Sequence, residues 1–255
     1  MFPKTRHALL PLALLLPLTA CSEQVVLEPS ERLESLLLPS SDYPDGFDVE
    51  TIDLDEVDGS GGGGTDFDSI EPAACEEAFE DSPADVPEEA AEGAGQVAVS
   101  SGSSPTFYTY VLVSGDFDET QDASGYEAML SSCSTMTAVS DGITLEGSIR
   151  GTSFPSLPDQ GDAFTMDLSA DGLDMTMWTA WGQVADVHFV LIGMDLGSSP
   201  DVDTSTLARE CFDDRMDTGC RDRLLQEATD EARAAQEEEF NEVLAAAVAL
   251  LESDA

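Results

Sequence analysis

The sequence is nearly empty of positive charge. It contains one lysine, Lys4, and eight arginines against 53 acidic residues, for a formal net charge of −44. Such a chain repels phosphate backbones and has no basic patch to hold them, which excludes DNA and RNA as partners. Histidine is as scarce, with His7 and His188 the whole supply. A Ser/His/Asp relay would have to use His188, because His7 sits in the amino-terminal leader. On an extended segment His188 alternates with Val187 and Phe189 and is expected to point away from the core. Asp186 shares its face, but two residues on one strand make no site. Paired CxxC motifs are missing, so a structural zinc is not expected. No nucleotide-binding motif occurs, and the 53 carboxylates single out no acid/base pair. The chain therefore reads as a protein without catalytic residues, cofactor or metal.

What is present begins at the amino terminus. Lys4 and Arg6 precede an apolar run, Ala8 to Leu18, which Pro11 and Pro17 interrupt. That run is far shorter than the ~20 apolar residues a membrane-spanning helix needs, and it reads as a cleaved export signal. It ends in Leu18-Thr19-Ala20-Cys21, the small-residue pattern of a lipobox. Cys21 is the expected lipidation site, carrying diacylglycerol and a palmitate-type acyl chain that hold the protein on the extracytoplasmic face of the cell membrane. Cleavage after residue 20 leaves seven arginines facing 53 carboxylates, a charge of −46. The acidity reads first as a solvated surface suited to a salty exterior, and second as loose binding of divalent cations or of a basic partner.

Beyond Cys21 four cysteines remain: Cys75, Cys133, Cys211 and Cys220. An even number in an exported chain argues for two disulfides with three possible pairings. Only eight residues separate Cys211 from Cys220, which favours a local bridge and leaves Cys75 to Cys133.

The residue pattern predicts a helix over 31–37, a strand over 47–54, and an acidic, glycine-rich flexible insertion at 55–69. A helix over 71–80 and an acidic loop over 81–95 follow. Strands are expected at 96–100 and 106–113; the second is apolar on both faces, as a central strand would be. After a helix over 119–132 the pattern becomes serial hairpins. Asp141-Gly142 and Asp171-Gly172 are turn signals between apolar runs, and Val184 to Ile192 supplies a last strand. The tail 221–253 carries a helical apolar stripe, as one long helix or two, with the acidic block Glu237-Glu238-Glu239 between its halves. The resulting class is α+β: a twisted antiparallel meander against helices, closed by a long C-terminal helix. The domain division is leader 1–20, tether 21–29, folded domain 30–199 and helical extension 200–255.

The run Leu36-Leu37-Leu38-Pro39-Ser40-Ser41-Asp42-Tyr43-Pro44-Asp45-Gly46-Phe47 resembles the entry segment of actinobacterial lipoproteins related to the PknH-like extracellular sensor domain. Pro72-Ala73-Ala74-Cys75 is similar to that family's Pro-x-x-Cys helix start, and Cys133-Ser134-Thr135 to its second cysteine. Leu157-Pro158-Asp159-Gln160-Gly161-Asp162-Ala163 resembles the turn leading into its later strands. The resemblance spans residues 30–195 and implies a disulfide-tied antiparallel sheet with a ligand cleft. On that reading Tyr108, Tyr110 and Trp178 are candidate ligand-binding residues on an open face of the sheet, for a small envelope molecule; the competing reading of the same side chains is core packing under helices. The alternative is a structural or protein-interaction lipoprotein that uses its acidity against a basic protein.

Overall fold

The computed structural model describes residues 29–52, 54, 67–80, 92–101, 105–115, 121–140, 142–170, 173–197, 211 and 218–254. The leader with Cys21, the glycine run 61–64 and the Asp171-Gly172 turn lie outside the described residues.

Nine strands form one sheet. They are β1 (Phe47–Ile52), β2 (Ser69–Glu71), β3 (Glu92–Ser100), β4 (Thr106–Ser114), β5 (Met136–Ser140), β6 (Ile143–Gly151), β7 (Gly161–Ala170), β8 (Leu173–Val184) and β9 (Val187–Asp195). Their order is β1-β3-β4-β9-β8-β7-β6-β5-β2, and every neighbouring pair runs antiparallel. The α+β class and the serial hairpins from β5 to β9 are as the sequence predicts. Three joins are not between consecutive strands: β1 pairs with β3, β4 with β9, and β2 with β5. The strand β2 falls across the end of the expected insertion, and β3 begins at Glu92 inside the expected acidic loop. The first has only three residues, and the second opens with Glu92, Gly93, Ala94 and Gly95, so neither carries an apolar alternation to read.

Helices cover both faces. On the first face lie α1 (Pro29–Ser35) and α4 (Thr218–Asp254), and on the second α2 (Ala73–Glu80) and α3 (Gln121–Ser132). Tyr108, Tyr110, Leu112, Trp178, Ala180, Phe189 and Leu191 point into the first core. Phe164, Met166, Leu168, Met177, Trp181, Val190 and Ile192 point into the second. Period-two alternation in β9 therefore sorts residues between two cores and not between core and water. This corrects the reading of His188. It points to the second face as alternation requires, but that face is packed and His188 is buried, 3% exposed.

Both expected disulfides are formed. Cys75–Cys133 ties α2 to the end of α3, and Cys211–Cys220 closes onto the first turn of α4. With sequence separations of 58 and 9, chain entropy makes them worth about 4 and about 3 kcal/mol.

The tail is one continuous helix of 37 residues, about 55 Å long at 1.5 Å per residue. Its acidic block does not break it, because glutamate is a good helix former and here stays at least partly exposed. Phe240, Val243, Leu244, Ala247, Val248 and Leu251 recur at helical spacing and are buried in the first core. Phe240 lies over Gly193: a Cβ there would come within 2.7 Å of its ring. Only glycine lets the helix approach the sheet this closely.

Arg32 fastens the far end. Its Nη1 and Nη2 donate to Asp186 in the β8–β9 turn at 2.8 and 3.1 Å, and its Nε donates to Asp254 at 2.8 Å. One guanidinium thus joins α1, a hairpin turn and the end of α4, where the Asp254 carboxylate would otherwise oppose the helix dipole.

Truncating Phe240 to alanine is expected to cost about 3–5 kcal/mol by removing the aromatic plug and leaving a cavity. Urea unfolding of the variant measures this. A loss below about 1 kcal/mol would mean that α4 does not share the core of the sheet.

Candidate functional site

The three aromatic side chains read as ligand-binding candidates are brought together, but not at an opening. Tyr108, Tyr110 and Trp178 are 2%, 0% and 1% exposed. In the sheet Tyr108 pairs across Gly193 with Trp178, so their rings flank the notch that Phe240 enters. Ring centroids of Tyr108, Phe154 and Trp178 lie 6.4, 5.0 and 6.3 Å from that of Phe240. Tyr43 and Phe47 close the other side, 5.7 and 5.3 Å from Tyr108. The face expected to be open is filled by the protein's own helix, and the three residues are core. The Phe240 stripe is legible in the sequence; which strands it covers is not, because that depends on the β4–β9 join.

This core holds polar groups under tight control. Gln96, 2% exposed, donates from Nε2 to the Leu38 carbonyl at 3.2 Å and to the Tyr43 hydroxyl at 2.5 Å. Burial pushes the Tyr43 phenol up to about 12, against the opposing pull of the Gln96 hydrogen bond. Burial raises Tyr108 and Tyr110 further still, and Glu239, Tyr43 and Glu242 add repulsion at Tyr108. Glu239 itself is held above the usual carboxylate range by desolvation and by Glu242. At the β8–β9 turn the hydrogen bonds from Arg32 hold Asp186 below that range.

Helical cover on the first face stops short of one end of the sheet. Asp167 on β7 marks the boundary: it accepts from Arg233 of α4 at 3.1 Å and from Thr176 at 3.0 Å, with Arg150 at 3.7 Å. Beyond it lie β6, β5 and β2. Ile70, Met136, Ala138 and Ile149 of these strands pack into the second core, so alternation puts Glu71, Thr137, Val139, Thr144 and Glu146 on the first face. Glu71, Thr144 and Glu146 are exposed, and Thr137 and Val139 half-buried. Glu71, Thr137 and Glu146 form one row across three strands. At ~4.8 Å per strand the two glutamates stand about 10 Å apart with the threonine between them. A shallow depression of about 490 Å³ is lined here by Glu71, Pro72, Thr135, Thr137, Glu146 and Gly147. At the β5–β6 turn Ile143 is 53% exposed, the one large hydrophobic side chain so exposed among the described residues.

The described residues bring together no cluster of three or more metal-ligating side chains, and none of their helices is long and apolar enough to cross a membrane. What this acidic, hydroxyl-bearing surface can do is bind positive charge. Sequence reasoning missed it because β2 was not read as a strand, so nothing placed Glu71 beside Glu146.

No family model and no curated protein matches the chain. Among the solved structures similar to it are two from mycobacteria. One is the extracellular domain of PknH from Mycobacterium tuberculosis, at 12% identity and a TM-score of 0.44, covering 66% of this chain and 88% of that one. The other is a putative uncharacterized protein from Mycobacterium smegmatis, at 14% identity and 0.41, covering 88% of this chain and 95% of that one.

Raised phenol values mean that the neutral tyrosines stabilise the fold fully below their ordinary value near 10. That stability is lost as pH climbs through the folded-state values. A titration followed at 295 nm should therefore show no tyrosinate from Tyr43, Tyr108 or Tyr110 near pH 10, and their ionisation should coincide with unfolding. Ionisation of Tyr108 and Tyr110 near pH 10 in a folded protein would show that the aromatic face is open.

Proposed function

We propose that this chain is an extracytoplasmic lipoprotein, fixed to the membrane through an acylated Cys21, whose folded domain is a non-catalytic binding module for a cationic protein partner. The observation that carries this reading is the distribution of cover on the first face. Where the sheet is aromatic it is plugged by α4, and where it is open it is acidic and hydroxylated. A small ligand on Tyr108, Tyr110 and Trp178 would have to displace a helix that contributes six buried apolar side chains. A basic protein surface has only to approach a domain of strongly negative potential, which also speeds its encounter.

The compartment follows from chemistry. Two disulfides close in the described chain, and such bonds persist outside the reducing cytosol. The reading as a non-enzyme is supported by the residues themselves: the histidine beyond the leader is buried on the second face, and the open surface offers carboxylates and hydroxyls with no histidine or cysteine beside them among the described residues.

Two measurements test the two halves of this reading. Cells fed an alkyne-tagged fatty acid should label the wild-type protein and not the Cys21→Ser variant; an unlabelled wild type would remove the anchor. In a thermal-shift series at low salt, poly-lysine should raise the midpoint of the processed protein by several degrees, the shift vanishing by about 0.5 M salt. Neutral glycans and envelope lipids should leave the midpoint unmoved. Stabilisation by one of those neutral ligands, with none by poly-lysine, would reverse the assignment.

A further inference from the structure

Among the described residues the sheet ends at β2, which pairs with β5 and with no second strand. A terminal strand presents outward backbone N–H and C=O groups that can pair with another chain. Resting on the cationic-partner reading above, we propose that the partner supplies an extended segment that adds beside β2 as a tenth strand, with basic side chains at alternate positions over Glu71.

Four features of this corner specify such an occupant. The added strand would share the pleat of β2, so its residue opposite Glu71 would project onto the same open face. A Lys or Arg there meets the Glu71 carboxylate, and its long side chain lies toward the row that ends in Glu146. The depression of about 490 Å³ beside Pro72 and Thr135 leaves room for the stem of that side chain. Residues between the basic ones would turn to the second face, where Phe67 and Phe79, half-buried and 6.1 Å apart edge to face, sit at the margin of the core that holds Ile70. The pattern that fits is basic, apolar, basic. Backbone pairing supplies affinity and the alternate side chains supply the choice of partner.

Charge also excludes the commonest competitor for an open edge, a second copy of the same chain. Two mature chains of charge −46 repel, and a β2–β2 pairing would bring Glu71 close to its own copy. Both the brevity of β2 and its glutamate are ways of guarding an edge against self-pairing. Here they leave it selective for a cationic segment. The opposite edge, β1, also bears exposed carboxylates, at Asp48 and Glu50. Its core-facing residues Phe47 and Val49 are already packed against the first core.

The test uses the full processed protein in detergent and a synthetic octapeptide that alternates lysine with valine or threonine. A second peptide of the same sequence, with alternate amides N-methylated, keeps the charge but cannot pair as a strand. Hydrogen exchange followed by mass spectrometry should show residues 67–71 slowed at least fivefold by the first peptide and unaffected by the second. Glu71→Lys should weaken binding at least tenfold without moving the thermal midpoint, since Glu71 is exposed. Equal binding of both peptides, or protection on β1 or α4 in place of β2, would overturn strand addition while leaving a cationic partner in force. Failure of both peptides and of poly-lysine to bind at low salt would overturn both.

Discussion

The structure depends on the seating of the carboxyl-terminal half of α4 against the first face of the sheet. Phe240 fills the notch over Gly193, ringed by Tyr108, Phe154 and Trp178, and the stripe from Val243 to Leu251 continues that contact toward the β8–β9 turn. Large aromatic side chains carry the most apolar area, and a notch made by glycine lets them reach the backbone. Without this helix the first core would lose its lid, and β4, β8 and β9 would expose Tyr108, Tyr110, Trp178 and Phe189 together. A surface of that kind on a lone domain is an aggregation hazard or a binding site. In this protein it is neither, because the chain covers it itself.

Charge sets the second constraint. A chain this acidic pays a self-repulsion cost in its compact state, and the few arginines sit where they offset it best. Arg32 joins two carboxylates from distant parts of the sequence at the end of α4. Arg233 reaches from α4 to Asp167, at the line where helical cover ends, with Arg150 at the edge of the same carboxylate. These pairs are partly exposed, so each contributes modestly and less in salt. Their positions matter more than their strength: both tie α4 to the sheet. The uncovered strands β2, β5 and β6 present the carboxylates of Glu71 and Glu146 beside threonine hydroxyls.

Much of the fold was legible because the strands from β5 onward are joined by short turns and carry long apolar runs. Those runs predicted the meander, and the helical spacing from Phe240 to Leu251 predicted the helix that packs on it. The disulfides were legible from parity and spacing. What could not be read was anything set by distant pairing. Nothing local tells that Val111 lies beside Val190, so the sequence leaves open whether the aromatic residues of β4 form a ligand face or the floor under a helix. Nothing local makes Ser69-Ile70-Glu71 a strand, since three residues show no alternation, and the acidic row from Glu71 to Glu146 went unseen. His188 was misjudged for a related reason. Alternation reports sides of a sheet, and a sheet with helices on both sides has no wet one at its centre.

The account turns on whether α4 is a fixed part of the core or a cover that lifts. Native-state hydrogen exchange in low denaturant decides this directly, amide by amide. If the helix is integral, residues 240–251 will exchange with the same opening free energy as β8 and β9 and merge with them into the global unfolding curve. If those helix amides open at a free energy several kcal/mol below the strands, the account is wrong. The aromatic face would then be intermittently available, and the proposal of the acidic corner as the binding surface would lose its ground.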